Sequence, residues 1–133
     1  MDEHLKNKKF ETRAIHAGRV PEDETGGVST PIHLSTTYRV KYPGDESGYV
    51  YSRWMNPTRS ALERALASLE NGTHAFAFAS GLAALNAILH LLQSGDHVVA
   101  VADLYGGTMR QFERVMRQFG LEFSYVDSNS PDA

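Results

Sequence analysis

The sequence contains no cysteine. That excludes a disulfide framework, a thiolate nucleophile and any cysteine-ligated metal. It also lacks long apolar runs: nothing approaches the roughly 20 residues of a membrane span, and the polar N-terminus has no signal-peptide core. The expected location is the cytoplasm, with no membrane partner. Charge of neither sign dominates, since 13 Lys and Arg against 16 Asp and Glu leave a net charge of -3. No nucleic-acid partner is expected from that balance. Lys6, Lys8 and Lys9 are flanked by Asp2, Glu3 and Glu11 and read as a solvated terminus. The six histidines have no metal-ligand spacing on one helix, so no metal is expected, and His16 and His33 are assigned no chemistry.

Helical or strand periodicity is scarce up to residue 56. Gly18, Pro21, Gly26, Gly27, Pro31, Pro43, Gly44 and Gly48 interleave with Tyr38, Tyr42, Tyr49 and Tyr51. A long stretch without a core is unusual inside a compact domain, yet its tyrosines with Ile32, Leu34 and Val40 argue against disorder. Residues 1–56 are therefore expected to form an extended arm that packs on another subunit.

From residue 57 to 133 the pattern changes to alternating helices and strands. Asn56 is placed to cap a helix whose first position is Pro57, where a missing N–H costs nothing. Ala61, Leu62, Ala65, Leu66 and Leu69 line one face of that helix, and Asn71-Gly72 stop it. His74 to Ala79 reads as a strand buried on both faces. After Gly81, the residues Leu82, Leu85, Ile88, Leu89 and Leu92 mark a helix that Ser94-Gly95 ends. His97 to Ala102 is an apolar strand, followed by a loop from Asp103 to Thr108. A helix is expected from Thr108, with Gln111 completing a capping box and Met109, Phe112, Val115, Met116 and Phe119 buried. Gly120 ends it, and Leu121 to Val126 alternates as a strand. The fold class is α/β, with a mainly parallel sheet flanked by helices.

Ligands of such sheets bind beyond the carboxyl ends of the strands. At the Ser80-Gly81 turn the first N–H groups of a helix are unpaired, and the helix dipole favours an anion there. Gly81 has no Cβ to keep a phosphate away, and Ser80 supplies a hydroxyl or a cap. The plainer alternative is an ordinary strand-to-helix turn. Asp103, after a strand, reads as a loop or cap residue. A dinucleotide site would share the strand-turn-helix, but no GxGxxG follows the strand and no GKS/T loop is present.

Three motifs in order resemble the Cys/Met-metabolism family of pyridoxal-phosphate enzymes. They are Tyr51-Ser52-Arg53 with Asn56-Pro57-Thr58, Phe78-Ala79-Ser80-Gly81-Leu82-Ala83-Ala84, and Tyr105-Gly106-Gly107-Thr108. The resemblance covers essentially the whole chain but only the N-terminal part of the family's longer fold, the PLP-dependent transferase fold type I. Residues 57–133 would begin its cofactor-binding α/β domain. It implies pyridoxal 5'-phosphate as cofactor, with its phosphate on the backbone N–H groups of Gly81 and Leu82 and with Ser80 either facing that phosphate or merely capping the helix. Tyr105 is implied to stack on the pyridine ring and to act catalytically through its hydroxyl. Tyr51 and Arg53 are implied to reach the phosphate of a neighbouring subunit in a homotetramer built as a dimer of dimers. An arginine suits that task because its planar fork donates two charge-assisted hydrogen bonds at once.

The implied reaction is γ-elimination or γ-replacement on a sulfur amino acid, with cystathionine or an activated homoserine as substrate. Tyr-Gly-Gly-Thr with Arg110 and Phe112 looks most like cystathionine γ-synthases and γ-lyases. O-acylhomoserine sulfhydrylase and cystathionine β-lyase are the alternatives within the family, and Gly107 stands where methionine γ-lyases usually have cysteine. The family's Schiff-base lysine has no counterpart among Lys6, Lys8, Lys9 and Lys41. Nor are its pyridine-nitrogen aspartate and its substrate-carboxylate arginine expected before Ala133, and Ser128 to Ala133 is polar and turn-like. The chain is thus expected to be an N-terminal fragment, truncated, clipped or paired with a second chain, and inactive alone. A non-catalytic assembly fragment is the rival reading.

Overall fold

The structure, a computed structural model, describes residues 3–19, 25–45 and 47–129. Pro21 and the last four residues of the polar end lie outside them. The chain divides into two compact units, Met1–Ala77 and Phe78–Ala133.

Among its described residues the first unit holds a short 3-10 turn at Glu3–Leu5 and two α-helices, α1 (Phe10–His16) and α2 (Pro57–Leu69). The start of α2 is the one expected: the Asn56 side chain accepts hydrogen bonds from the Thr58 and Arg59 N–H groups at 2.9 and 3.3 Å. Its end is a Schellman motif. Asn71 takes a left-handed φ of 56°, the Gly72 N–H donates to the Ala67 carbonyl at 2.8 Å, and Asn71 N–H reaches Ser68 at 3.4 Å.

The expected inward face of α2 is only partly realised, because Ala61, Ala67 and Ser68 are buried while Leu62 and Leu66 stay exposed. What covers α2 is α1, which the sequence pattern did not reveal. Phe10 and Ile15 of α1 face outward. The helix is held instead by the buried Arg13, whose Nη1 donates to the Ser68 carbonyl and, at 2.8 Å, to Asn71 Oδ1. A cation suits the negative end of the α2 dipole. Gly18, at φ 76°, completes the docking: a Cβ there would lie 2.2 Å from the Ala61 carbonyl oxygen.

Residues 31–45 and 47–56 are irregular but tied down. Thr58 Oγ1 accepts from the His33 N–H at 2.9 Å and donates to the Pro31 carbonyl, and Asn56 Nδ2 donates to the His33 carbonyl. Thr37 and Tyr51 form an isolated antiparallel bridge, beside which the Tyr38 and Tyr49 rings meet at 5.6 Å. The strand expected at 74–79 is not formed. Residues 74–78 have no regular secondary structure, pair with no strand among the described residues, and leave Phe76 and Phe78 exposed. Their composition favours a strand, but a strand exists only as a pairing, and local composition names no partner.

The second unit contains α3 (Gly81–Leu89), β1 (His97–Val101), α4 (Gly106–Arg114) and β2 (Glu122–Val126). The two strands are parallel, in register from His97 opposite Glu122 to Val101 opposite Val126. One sheet face carries Val98, Ala100, Phe123 and Tyr125 against Leu85 and Leu89 of α3 and Phe112 of α4, with Met116 and Leu121 completing the core. The other face, with Val99 and Val126, is exposed.

Three expectations are corrected in this unit. Helix α3 stops at Leu89 rather than Leu92, because Leu91 and Leu92 donate to Ile88 and Leu89 and tighten the chain into turns. Helix α4 begins at Gly106, so Thr108 lies inside it and Gln111 does not close a capping box. Val115 and Phe119 are exposed rather than buried, because α4 gives way to a 3-10 turn at Met116–Phe119 and the side chains change phase. Gly120 ends that turn with φ 85°, as a C-terminal glycine does. No helix among the described residues is long and apolar enough to cross a membrane.

Helix α4 is fastened to β2 by Glu113. Its carboxylate accepts from Arg117 Nε at 2.6 Å and from the Tyr125 hydroxyl at 2.6 Å, while Arg117 Nη2 also donates to the Phe123 carbonyl. The Arg117 hydrogen bond, then that of Tyr125, holds the Glu113 carboxyl below its usual range. Burial, then the bond to Glu113, pushes the Tyr125 phenol up to about 12. A depressed carboxyl contributes stability above its unfolded pKa and loses it as pH falls through the folded value. Glu113→Gln is therefore expected to lower the urea midpoint at neutral pH, and the difference from wild type should shrink as pH falls through the depressed pKa of Glu113. A difference that persisted at low pH would mean that the ionised carboxylate is not what fastens α4.

Candidate active site

Ser80 has extended backbone (φ -158°, ψ 160°) and caps α3, its Oγ accepting from the Ala83 N–H at 3.1 Å. That bond uses the oxygen as an acceptor and leaves the hydroxyl proton free to donate. The Ala84 N–H is taken by the Ser80 carbonyl. The N–H groups of Gly81 and Leu82 between them have no acceptor among the described residues. Nothing lies within 4 Å of where a Gly81 Cβ would be, so the space before these two donors is open. Paired N–H groups at a helix start, with the dipole behind them, form a seat for a phosphate.

Tyr105 stands at the N-terminus of α4, with its side chain 74 % exposed. Its ring folds back over Gly107. A Cβ on Gly107 would lie 2.5 Å from Tyr105 Cε1 and 3.2 Å from Leu82 Cδ1, so the ring and the Leu82 side chain border the same small space. The starts of α3 and α4 are thereby neighbours. A second tie holds the helices together, because Gln111 Nε2 of α4 donates to Asn86 Oδ1 of α3 at 2.9 Å. Sequence reasoning gave Gln111 a capping role. Only the docking of two helices could have shown its true partner.

Gly107→Ala is expected to push the Tyr105 ring aside. In methyl NMR spectra of the chain, the ring-current shift of the Leu82 methyls should diminish while the Phe123 ring signals stay in place. Unchanged Leu82 shifts would mean that the ring does not rest there.

Tyr51 and Arg53 belong to the other unit, where both lie in the turn that follows the Thr37 bridge. The Arg53 guanidinium rests over the Tyr51 ring, 5.0 Å from its centroid, and its side chain has no ion pair among the described residues. An exposed, unpaired arginine stacked on a tyrosine is free to meet an anion. Asp103 is exposed in the bend after β1. His33 contributes its backbone, to Thr58 and Asn56. Among the described residues no three His, Asp or Glu side chains gather as a metal would require.

A parallel α/β unit with a free helix start beside an exposed tyrosine ring offers donors for a phosphate and, next to them, a flat aromatic face. A model of the family described as Cys/Met metabolism PLP-dependent enzyme matches residues 11–133, and the chain belongs to that family. Cystathionine beta-lyase from Coxiella burnetii is 57 % identical over 124 residues, covering 91 % of this chain and 32 % of its own length. Cystathionine gamma-lyase from Bos taurus is 50 % identical over 123 residues, covering 92 % and 30 %. The crystal structure of metB from Corynebacterium glutamicum aligns with a TM-score of 0.84 at 41 % identity, over 92 % of this chain and 32 % of that one. The chain thus spans about a third of the length of the relatives it matches. The α/β fold class and the pyridoxal-phosphate cofactor expected from the motifs are those of this family.

Proposed function

We propose that this chain is the N-terminal part of a cytoplasmic, homotetrameric enzyme of sulfur amino-acid metabolism that carries out γ-elimination or γ-replacement on cystathionine or an activated homoserine. The observation that carries the reading is the pair of unpaired N–H groups of Gly81 and Leu82 beside the Tyr105 ring. These residues fit the cofactor. The two N–H groups and the α3 dipole hold its phosphate, and the free Ser80 hydroxyl proton adds a third donor. Tyr105 offers a flat face to the pyridine ring and a phenol that can carry a proton beside the substrate.

Tyr51 and Arg53 serve the phosphate of a neighbouring subunit, with Arg53 neutralising its charge. Bound pyridoxal phosphate supplies an electron sink for the substrate's α-carbon. On this reading the lysine that anchors the cofactor belongs to a longer or paired polypeptide and is none of Lys6, Lys8, Lys9 and Lys41. A second reading, β-elimination from cystathionine, is favoured by the 57 % identity to the Coxiella burnetii cystathionine beta-lyase.

Borohydride reduction of the purified holoprotein, followed by denaturing mass spectrometry, tests the reading. A polypeptide that contains this sequence, or is paired with it, should carry pyridoxal phosphate fixed on a lysine. Thioether substrates then separate the two reactions, because γ-cleavage of cystathionine releases cysteine and β-cleavage releases homocysteine. A single 14.7 kDa species without adduct would instead support a non-catalytic assembly piece.

A further inference from the structure

The turn that carries Tyr51 and Arg53 is held from α2. Arg59 directs its guanidinium at backbone: Nη1 donates to the Ser52 carbonyl at 3.4 Å and reaches that of Arg53 at 3.5 Å, and Nη2 donates to that of Trp54. Its Nε pairs with Glu63 at 3.5 Å. Glu63 Oε1 in turn accepts from the Ala77 N–H at 2.9 Å. A chain of polar contacts therefore runs from the Tyr51–Trp54 turn, through Arg59 and Glu63, to the segment that leads in sequence to Ser80-Gly81.

Helix energetics do not account for an arginine at this place. Arg59 is the third residue of α2, where the dipole favours an acid and a capping box would put Glu or Gln. Its order relative to Glu63, base before acid, is also the weaker arrangement for a pair one turn apart. What the position does supply is a planar fork within reach of consecutive carbonyls, which a lysine ammonium cannot match.

We propose that Arg59 and Glu63 are positioning residues, a brace that fixes the Tyr51–Trp54 turn so that Arg53 is presented to the anion, and that ties this turn to Ala77. The proposal rests on the phosphate role given to Arg53 above. It is tested in the full-length protein by titrating pyridoxal phosphate into wild type, Arg53→Ala, Arg59→Lys, Arg59→Met and the Arg53→Ala/Arg59→Lys double variant, with a urea midpoint for each.

Arg59→Lys keeps the charge and is expected to weaken cofactor affinity about tenfold with little change in midpoint, and Arg59→Met to weaken it at least as much. The double variant should lose less affinity than the sum of the two single losses, because Arg59 acts through the turn that carries Tyr51 and Arg53. Additive losses, or wild-type affinity in both Arg59 variants, would overturn the proposal. Backbone amide exchange distinguishes its failure from that of the functional reading. In Arg59→Met the Trp54 and Ala77 amides should exchange faster while the Gly72 amide at the end of α2 keeps its protection. Wild-type affinity in Arg53→Ala combined with that faster exchange would sink the phosphate role and leave the brace standing. Unchanged exchange would remove the brace itself.

Discussion

Replacing Phe112 with alanine is expected to unfold residues 78–129. Phe112 is 3 % exposed and stacks on Phe123 with ring centroids 4.5 Å apart, at the centre of the one apolar cluster that joins α3, α4 and the sheet. Removing a buried phenylalanine costs about 3–5 kcal/mol, through lost transfer energy and the cavity left behind. A unit of this size holds only about 3–8 kcal/mol in total. The loss is of the same order as the whole. Amide exchange is the measurement: protection of Val98 to Val101 in β1 should collapse, while the Gly72 amide in the other unit keeps its own. If the β1 amides stayed protected, the core would not be centred where the structure puts it.

The second large effect belongs to Arg53. In the full-length protein, Arg53→Ala is expected to weaken pyridoxal-phosphate binding by about 10- to 100-fold, the loss of one charge-assisted contact worth roughly 1.5–3 kcal/mol. Folding should hardly notice. The Arg53 guanidinium lies over the Tyr51 ring, an exposed cation–π contact worth about 0.5–1 kcal/mol. Spectrophotometric titration of the cofactor, read beside the urea midpoint, separates the two quantities. A variant that lost stability but kept its cofactor affinity would place Arg53 in the fold and not at the phosphate.

The two effects differ because they arise at different ranges. The stacking of Phe112 on Phe123 is decided within one unit, and any description of that unit contains it. The proposed use of Arg53 depends on a ligand and a subunit beyond this chain, and within the chain its guanidinium lies over the Tyr51 ring. An exposed arginine of this kind contributes little to its own fold, and its removal is read in binding.

Much of the framework could be read locally. Asn56-Pro57 announced the start of α2, and Ser80-Gly81 that of α3. The apolar run from His97 and the alternation from Leu121 announced β1 and β2, and Gly120 the stop between α4 and β2. Each signal is complete within a few residues, because caps, glycine turns and strand patterns act on neighbouring backbone groups. The motif order was sufficient for the family as well, and it carried the cofactor with it.

What the sequence could not determine were the relations between distant residues. Helix α1 has no inward apolar stripe and exists because Arg13 and Gly18 dock on α2. The segment 74–78 has strand composition, yet no neighbour among the described residues for it to pair with. Gln111 had a capping motif available and was taken by Asn86. The Tyr105 ring rests over Gly107 because a missing Cβ leaves room there, and Arg59 leaves the helix surface to hold three carbonyls before it. Local chemistry fixes what each residue offers; only the folded chain decides which partner accepts it, since hydrogen bonds and van der Waals contacts act at a few ångströms regardless of separation in sequence.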